Sequence, residues 1–558
     1  MNNAVVHPPE PRNEPVHTYG PGTPERASLQ AAVERVRSQS HVVCPVVGGE
    51  RIETGRTGAL HVPHDLSSDV GVYHKAGAAE VELAIRAGVE ARQDWARMAW
   101  TDRAAIFLKA ADLLAGPWRD RLNAATMVGQ SKNAYQAEID AACELIDFFR
   151  YNVHFASEIY AQQPYSPPGV WNRVEYRPLE GFVFAVTPFN FTSIAGNLPT
   201  APAIMGCTVL WKPASTALLS AQVIMELLEE AGLPPGVINM LPGDGADVGD
   251  PIFASEHFAG LHFTGSTGTF NHFWKTIGSN VGSYRSYPRI VGETGGKDFI
   301  VAHESADPIE VATAIVRGGF EYQGQKCSAA SRVYVPESLW PDVERSVREQ
   351  LDQVRMGPVE DFSNFVNAVI DRRSYDGITS YIERARDAAG VEIVAGGEHR
   401  DDDGFYIEPT VLRVDDPQYE TMRDELFGPV VSLYVAPAST SFDDLLQLVD
   451  RTSPYALTGA VFARDRAAVA HASDRLMDAA GNFYINDKPT GAVVGQQPFG
   501  GARASSTNDK AGSSVNLLRW TSLRSIKETF VPATHFAYPF LAPDEPETVP
   551  AHVAERLA

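Results

Sequence analysis

The strongest constraint on the fold is a regular alternation of short apolar runs and helical segments between residues 181 and about 485. The runs 181–186 and 207–211 are almost continuously apolar, and a helical segment at 217–231 follows the second run. Strands buried on both faces have this composition, and parallel strands require crossover connections of this kind. The pattern therefore predicts an α/β protein whose parallel sheets are covered by helices.

A second unit of the same kind is predicted further along the chain. There, strand-like runs at 299–302 and 332–335 flank a helical segment at 308–323. A chain of 558 residues also exceeds the size at which a single hydrophobic core stops growing. Before these units, residues 78–160 have apolar positions at helical spacing, and residues 171–178 alternate like a projecting strand or hairpin.

The charge and the composition exclude several classes of protein. Acidic residues outnumber basic ones by 70 to 47, and a net charge of −23 repels a nucleic-acid backbone. No segment contains the roughly 18 uninterrupted apolar residues that a membrane-spanning helix needs. The four cysteines, Cys44, Cys143, Cys207 and Cys327, show neither a metal-binding nor a disulfide spacing. These features predict a soluble protein of the reducing cytoplasm that binds neither nucleic acid nor a membrane.

Cys327 lies directly after a glycine-containing turn, between a predicted helix and a predicted strand. A turn of this kind can expose a thiol to a pocket, and the adjacent Lys326 can favour the thiolate. A lone cysteine is more often a small buried packing residue, so Cys327 by itself does not indicate catalysis. The surrounding motifs decide between the two interpretations.

Two further residues have side chains suited to acyl chemistry. Glu293 lies among glycines, where its carboxylate can change position and act as a general base. Asn190 follows a predicted buried strand, and its side-chain amide can donate a hydrogen bond to a developing oxyanion. In an arbitrary protein, the same residues would more often be a turn glutamate and a helix N-cap.

Three segments have features of a dinucleotide site. Lys212 follows a predicted strand, at the edge of the sheet where open α/β folds bind ligands. The turn with Gly265 and Ser266 follows another strand and can receive a phosphate at a helix N-terminus. Glu425 can accept hydrogen bonds from ribose hydroxyls, with Phe427 as a wall for a flat ring. Taken singly, each is also consistent with an ordinary strand end or turn.

Taken together, the motifs resemble those of the aldehyde dehydrogenase superfamily from about residue 40 to about residue 535. The matching segments follow the family's order and approximate spacing: Pro188-Phe-Asn190, Trp211-Lys-Pro213, Phe263-Thr-Gly-Ser266, Glu293-Thr-Gly-Gly296, Gly324-Gln-Lys-Cys327, Glu425-Leu-Phe-Gly-Pro429 and Pro498-Phe-Gly-Gly501. Chance does not account for so many ordered matches.

The resemblance implies a cysteine-based oxidation of an aldehyde. In that chemistry Cys327 is the nucleophile, and Asn190 with the Cys327 backbone amide forms the oxyanion hole. Glu293 activates the water that releases the acid. The implied cofactor is NAD, and no metal is required. The residues implied to bind NAD are Thr187, Pro188, Phe189, Lys212, Ser215, Gly265, Ser266, Glu293, Glu425 and Phe427.

The resemblance also implies an aldehyde dehydrogenase-like fold of two Rossmann-like parallel-sheet domains with a small β oligomerisation flap. The implied boundaries are 1–35 for a Pro-rich N-terminal arm, 36–163 and 181–291 for an NAD-binding domain, 292–490 for a catalytic domain, and 164–180 with 491–545 for the flap and a substrate anchor loop. Because an exposed strand edge is usually covered by a partner, a homodimer or a higher homo-oligomer is expected.

Within the superfamily, the segment Gln325-Lys-Cys-Ser328 and the residues from Thr490 to Lys510 most resemble 1-pyrroline-5-carboxylate dehydrogenases. That subgroup oxidises L-glutamate γ-semialdehyde to L-glutamate in proline catabolism. The resemblance implies that the backbone amides of Gly491 and Ala492 hold the substrate carboxylate. The full set of residues implied to bind the substrate is Glu138, Phe191, Lys326, Ser328, Gly491, Ala492 and Phe499.

The subgroup resemblance adds one predicted ion pair and two departures. Lys326 is expected near the substrate carboxylate, paired with Glu138. Ser215 stands where many NAD-specific relatives have glutamate, and its lack of charge leaves NADP use open. Ala492 stands where some relatives have serine, which removes one side-chain hydrogen bond but keeps the backbone contact.

Two other functions remain open at this point. One is oxidation of a different ω-semialdehyde, such as succinate semialdehyde, against which Lys326 and the loop at 491–492 argue. The other is a non-catalytic relative, against which the presence of Cys327, Glu293 and Asn190 argues. For oxidation of L-glutamate γ-semialdehyde, a separate proline dehydrogenase is the expected source of the substrate.

Overall fold

The computed structural model describes residues 5–541 and has two seven-stranded sheets, each mostly parallel and packed against helices. The predicted α/β fold class is thereby confirmed. Residues 1–4 of the predicted N-terminal arm and residues 542–545 of the predicted flap lie outside the described residues. Within the described part of the chain, no helix combines the length and the apolar character needed to cross a membrane.

The first sheet consists mainly of apolar strands that are buried along most of their length. Its strands, in spatial order, are Arg289–Glu293, Phe258–Thr264, Phe182–Val186, Thr208–Lys212, Ile238–Met240, Val46–Val47 and Glu50–Arg51. The first five run parallel, and the last two are added by antiparallel pairing. The helices packed around this sheet are Ala78–Trp95, Thr192–Ile204, Leu218–Ala231, Gly245–Ala254 and Thr267–Asn280. Two of its strands begin within one residue of the predicted starts at 181 and 207.

The second sheet has the same construction. Its strands, in spatial order, are Val391–Ala395, Thr410–Val414, Val430–Ala436, Ala330–Pro336, Asp298–Ala302, Thr458–Phe462 and Asn482–Ile485. Only the first pair is antiparallel. Its helices are Pro308–Phe320, Trp340–Leu351, Arg372–Asp387, Glu420–Arg423, Phe442–Thr452 and Arg466–Arg475. The helix predicted at 308–323 ends at Phe320, because Tyr322 and Gln323 have left-handed φ values of 52° and 54°.

The remaining α-helices of the described residues share a hydrophobic core with the first sheet. They are Pro24–Ser38, Trp100–Ala115, Arg119–Gln130, Ala134–Ala137, Glu144–Ala161 and Ser514–Leu518. Short 3-10 turns lie at Ser215–Ala217, Glu321–Gly324 and Pro539–Leu541. A π-helical turn, Glu138–Cys143, joins two of these α-helices into one continuous helix. The helix Pro24–Ser38 begins within the predicted Pro-rich N-terminal arm, residues 1–35, and ends three residues beyond it. It starts with proline and buries Leu29, Ala32 and Val33.

The strand predicted at 171–178 is present as Val170–Pro178, but it is not part of a hairpin. It pairs antiparallel along its whole length with Thr521–Thr529, a strand far away in the sequence. The other short strands are His41–Val43, Gly71–His74 and Thr57–Ala59 in one small sheet, His399–Arg400 with Tyr406–Ile407, and Tyr455–Ala456 with Ala502–Arg503. Long-range pairing therefore builds the two-stranded flap, which local sequence cannot specify.

Candidate active site

A cavity of about 740 Å³ lies at the carboxyl ends of first-sheet strands, where residues 262–264 and 291–293 reach it. The Cys327 turn and the segment at 488–499 form other parts of its wall. The predicted site residues that line it are Phe191, Glu293, Lys326, Cys327, Ser328, Gly491, Ala492 and Phe499. Residues more than three hundred positions apart in the sequence thus share one enclosed space.

The turn before Cys327 is held by buried side chains. The Tyr322 hydroxyl donates to the carbonyl of Gln130 at 2.8 Å. The Gln323 side-chain amide donates to the carbonyls of Ser131 at 2.9 Å and Ala368 at 2.8 Å. Left-handed backbone at two consecutive non-glycine residues costs roughly 1–3 kcal/mol each, so these bonds offset a conformation that local preference disfavours. The result is a defined position for the thiol.

Cys327 is only 8% exposed, and it lines the cavity. Burial raises the pKa of the Cys327 thiol well above its usual range, and the carboxylates of Asp298, Glu293 and Glu425 raise it further. Lys326, predicted to favour the thiolate, instead directs its ammonium toward Asp140 and Glu321. This environment favours the protonated thiol, so a base must take its proton before the sulfur can attack a carbonyl.

Asn190 lies beside the Cys327 turn. It follows the strand Phe182–Val186, and its Nδ2 donates to the carbonyl of Gln325 at 3.0 Å. A side-chain amide has two N–H groups, so this bond leaves the second for another acceptor. The side chain is buried, where a donor interacts with a developing negative charge more strongly than it does in water.

Glu293 ends the strand Arg289–Glu293 and turns its carboxylate toward the loop at 500–506. Its Oε1 accepts a hydrogen bond from the Ser506 hydroxyl at 2.6 Å, and its Oε2 accepts one from the Gly501 N–H at 3.4 Å. Burial raises the pKa of Glu293 to about 8. A carboxylate with that pKa can accept a proton near neutral pH, which suits a general base. Sequence reasoning did not single out Ser506.

The predicted cofactor residues on the first sheet share one edge. Val186 is paired with Lys212 and with Phe263, so the residues that follow these strands end side by side. Beyond them, Ser266 caps the helix Thr267–Asn280 and accepts from the Thr269 N–H at 3.3 Å. The other predicted members of this edge are Thr187, Pro188, Phe189, Ser215 and Gly265.

Glu425 and Phe427 come from the second sheet's side. Glu425 accepts a hydrogen bond from the Gly296 N–H at 2.9 Å, and burial raises its pKa to about 7. Phe427 has a left-handed φ of 56°, and its ring meets that of Phe189 edge to face at 5.8 Å. The two predicted cofactor segments are therefore in contact across the cleft between the sheets.

The carboxylates beside Lys326 are those of Asp140 and Glu321, and the predicted ion pair between Lys326 and Glu138 is not formed. Lys326 Nζ lies 3.5 Å from Asp140 Oδ2, which also accepts a hydrogen bond from Lys132 Nζ at 2.7 Å. Burial would lower the pKa of Lys326, but the charges of Asp140 and Glu321 raise it overall. Lys326 also donates to the side-chain carbonyl of Gln136.

Glu138 faces away from this cluster. It is fully buried and pairs with Arg119, and the Tyr19 hydroxyl donates to it at 2.8 Å. Residues two apart on a helix are separated by about 200°, so Glu138 and Asp140 cannot share a face. The π-helical turn that starts at Glu138 also alters the spacing that holds in a regular helix.

The anchor loop, defined here as residues 490–497, forms part of the cavity wall. Gly491 has a φ of +96°, which only glycine adopts readily. The Ser328 hydroxyl shares a hydrogen bond of 2.8 Å with the hydroxyl of Thr490, which sequence reasoning did not single out. Lys488 Nζ donates to the Thr490 carbonyl at 3.1 Å.

Several lining residues were missed by sequence reasoning. Asp140, Glu144 and Asp147 bring acidic side chains to the cavity, and Asn13 and Glu14 come from the N-terminal segment. Burial raises the pKa of Glu144 to about 8 and that of Asp147 to about 6. The signal in the sequence that could have revealed the three acidic residues is their position within an otherwise apolar helix. Charged groups are rarely buried without a role or a partner.

Comparison with known proteins identifies relatives over nearly the whole chain. The sequence model of the aldehyde dehydrogenase family matches residues 53–526. A Dictyostelium discoideum protein named delta-1-pyrroline-5-carboxylate dehydrogenase, mitochondrial, is 50% identical over 540 residues, which cover 96% of this chain and 97% of that protein. The crystal structure of delta-pyrroline-5-carboxylate dehydrogenase from Mycobacterium tuberculosis is 54% identical with a TM-score of 0.94, covering 97% of this chain and 100% of that one. A structure of that enzyme bound with NAD is 53% identical with a TM-score of 0.94 and the same coverage. The resemblance drawn from the motifs is confirmed.

Proposed function

Because this chain belongs to the aldehyde dehydrogenase family, we propose that it oxidises L-glutamate γ-semialdehyde, the open form of 1-pyrroline-5-carboxylate, to L-glutamate with NAD. The relatives named for 1-pyrroline-5-carboxylate oxidation, at about half identity over almost their full length, support this substrate. The similar Mycobacterium tuberculosis structure bound with NAD supports the cofactor.

The single observation that carries the proposal is one cavity that joins a thiol to a polar far end. Cys327 lines it together with the anchor-loop residues Gly491 and Ala492 and with the ammonium group of Lys326. An aldehyde with a carboxylate at its other end can place its carbonyl at the thiol and its charge at these donors. A simple aldehyde would leave that end unused.

In the proposed mechanism, the Cys327 thiol gives its proton to water in the cavity, and its sulfur attacks the aldehyde carbon to form a thiohemiacetal. The second N–H of Asn190 and the Cys327 backbone N–H stabilise the oxygen that becomes negative. Oxidation then leaves a thioester on Cys327. Glu293 takes a proton from a water molecule that attacks this thioester, and the carbon–sulfur bond breaks to release the acid.

The residues at the sheet edge fit a dinucleotide. The half-buried Lys212 ammonium and the N-terminus of the helix after Ser266 offer donors for phosphates, and the Glu425 carboxylate offers an acceptor for ribose hydroxyls. When bound there, NAD supplies the acceptor for the hydride of the substrate. Because Ser215 brings no negative charge, the site does not repel a 2′-phosphate, and NADP is proposed as a weaker alternative.

For the substrate, we propose that Gly491 and Ala492 donate backbone N–H groups to the α-carboxylate and that Ser328 adds a hydroxyl. Lys326 contributes positive charge at this end of the cavity. Phe191 and Phe499 line the space where the aliphatic chain would lie. Glu138 is not proposed as a binding residue, because its carboxylate is used by Arg119.

We further propose the domain assignment given from the sequence and a homo-oligomer in which the flap pairs between subunits. The flap strands carry exposed apolar side chains, Trp171 at 51% and Leu523 at 53%, which a partner could cover. We propose a reducing cytoplasm as the compartment because all four cysteines are free, and a separate proline dehydrogenase as the source of substrate. Cell fractionation tests the compartment, since the Dictyostelium relative is named mitochondrial.

The test is NADH formation by purified protein with L-glutamate γ-semialdehyde, succinate semialdehyde and propanal. The expected result is the highest kcat/KM for the glutamate semialdehyde, and loss of activity toward all three in Cys327→Ala. Equal turnover of the other aldehydes would keep the family and reject the substrate. Activity that survives in Cys327→Ala would reject the mechanism, and no turnover in wild type would favour a non-catalytic relative.

A further inference from the structure

Residues 12–19 of the predicted N-terminal arm, from here on called simply the arm, contribute to the wall of the substrate cavity. Asn13, Glu14 and Val16 line the same space as Cys327 and Ala492. The arm contains no helix or strand, so its position depends on the contacts that its side chains and backbone make with the rest of the molecule. Those contacts are specific.

Asn13 connects the arm to the anchor loop and to the helix behind it. Its Nδ2 donates to the Val494 carbonyl at 2.7 Å and to Asp147 Oδ2 at 2.8 Å. Its Oδ1 accepts from Gln496 Nε2 at 2.9 Å and, more weakly, from the Tyr151 hydroxyl at 3.4 Å. Both donors and the acceptor of this one amide are therefore used.

The anchor loop has a second fixed point at the same place. Gly495 has a φ of +82°, and a Cβ on it would lie 2.2 Å from the Tyr151 ring. The loop backbone is thus pressed against Tyr151 while Asn13 holds its residues 494 and 496. Val494 is two residues beyond Ala492, so a shift at Val494 moves the amides proposed to hold the substrate carboxylate.

The rest of the arm is held by ion pairs and hydrogen bonds to the helical region. Glu14 pairs with Arg119 at 2.7 Å and with Arg150 at 2.8 Å, and its backbone N–H donates to Asp147 Oδ1 at 2.8 Å. The Glu14 side chain is 10% exposed, so its two ion pairs are only weakly screened. Asn13 is therefore presented to the anchor loop from a rigid support.

We propose that Asn13 is a positioning residue, which holds the anchor loop in the geometry that binds the α-carboxylate of the substrate. The inference rests on the proposed function, because it concerns how tightly that substrate is bound. It assigns a role to a segment that carries no recognisable motif. Asn13 does not act on the reacting carbon, so aldehydes without a carboxylate should be insensitive to it.

The first experiment compares Asn13→Ala with Arg12→Ala, whose exposed side chain is the matched control on the arm. Asn13→Ala is expected to raise KM for L-glutamate γ-semialdehyde about tenfold, because it removes the hydrogen bonds that fix the loop. The kcat is expected to change less than twofold, and kcat/KM for propanal to stay unchanged. Arg12→Ala should behave as wild type.

A merely structural role for Asn13 would lower activity toward both aldehydes together, and that outcome overturns the proposal. So would an unchanged KM. Asn13→Gln, which keeps the amide, should recover part of the lost affinity. In a double-mutant cycle, Gln496→Ala should add less than its single effect to Asn13→Ala, because the two side chains share one hydrogen bond.

Hydrogen exchange of the anchor-loop amides tests the coupling without any substrate. In Asn13→Ala the amides of residues 491–497 should exchange faster than in wild type, while those in Arg12→Ala should not. Unchanged exchange would reject the positioning role, whatever aldehyde the enzyme prefers. The wild-type substrate comparison separately decides the proposed function, so the two failures are distinguishable.

Discussion

The cofactor edge and the substrate end of this site are built in different ways. The residues proposed to hold NAD on the first sheet follow neighbouring parallel strands, so each comes from a short strand–turn segment. The substrate end joins the arm, the Cys327 turn and the anchor loop; one of its hydrogen bonds links residues 481 positions apart. Sequence motifs reveal the cofactor edge because its geometry is set by short local segments. They reveal the substrate end only where one loop has a recognisable sequence of its own.

The difference has an energetic consequence. At the cofactor edge, a substitution would remove contacts with the proposed cofactor, and the same cofactor serves whichever aldehyde is oxidised. At the substrate end, buried charges such as Asp140 and Lys326 support one another, so removing one leaves its partner uncompensated. Effects at the first region should be the same for all aldehydes, and effects at the second should depend on the aldehyde.

The largest effect is expected at Glu293, where the two regions meet. Glu293→Gln removes the proposed base for thioester hydrolysis and should lower the steady-state kcat by about a hundredfold to a thousandfold. A burst of NADH should remain, because the first half-reaction precedes the missing step. Stopped-flow absorbance measures both phases.

The pH dependence sharpens this expectation. Because burial raises the pKa of Glu293 to about 8, the deprotonated base becomes more abundant as pH rises, and wild-type kcat should increase through about pH 8. In Glu293→Gln that increase should be absent. A variant that keeps both the full rate and the rise with pH would show that another group is the base.

The next effect is expected at the cofactor edge. Lys212→Ala should raise KM for NAD by about tenfold to a hundredfold, because it removes the ammonium group that is proposed to donate to the dinucleotide. The increase should be equal with the glutamate semialdehyde and with propanal. Initial rates at varied NAD for both aldehydes give the comparison. A substrate-dependent increase would mean that the two regions are coupled.

The smallest of the three effects, and the most selective, is expected at Asp140. Asp140→Asn leaves Lys132 and Lys326 without their shared carboxylate and should raise KM for the glutamate semialdehyde about tenfold, with a smaller change for propanal. Thermal unfolding should also occur at lower temperature. KM values and the Tm are the two measurements.

Glu138→Gln is the matched control for Asp140, since it alters a buried carboxylate two residues away that does not line the cavity. It should lower the Tm by breaking the pair with Arg119. It should change the KM ratio of the two aldehydes less than Asp140→Asn does. The opposite order would reinstate Glu138 as the residue that serves the substrate.

How far sequence reasoning reached depends on the distance over which each feature is formed. Strands such as Phe182–Val186 and Thr208–Lys212 were predicted nearly to the residue, because an apolar run bounded by turns is a local property. The prediction extended the helix that begins at Pro308 past its actual end at Phe320. It did so because the left-handed residues that follow are stabilised by hydrogen bonds to distant residues, Gln130, Ser131 and Ala368. Local preference alone contains no sign of those bonds.

The sequence by itself determined the α/β class, the aldehyde dehydrogenase family and the identity of Cys327, Glu293 and Asn190 as candidates, since each is carried by a short segment with its own pattern. Tertiary structure alone decided that Asp140 rather than Glu138 faces Lys326, and that Asn13 reaches the anchor loop. The physical reason is that burial and charge pairing depend on which faces meet when distant segments pack, and on a π-helical turn that shifts one of those faces.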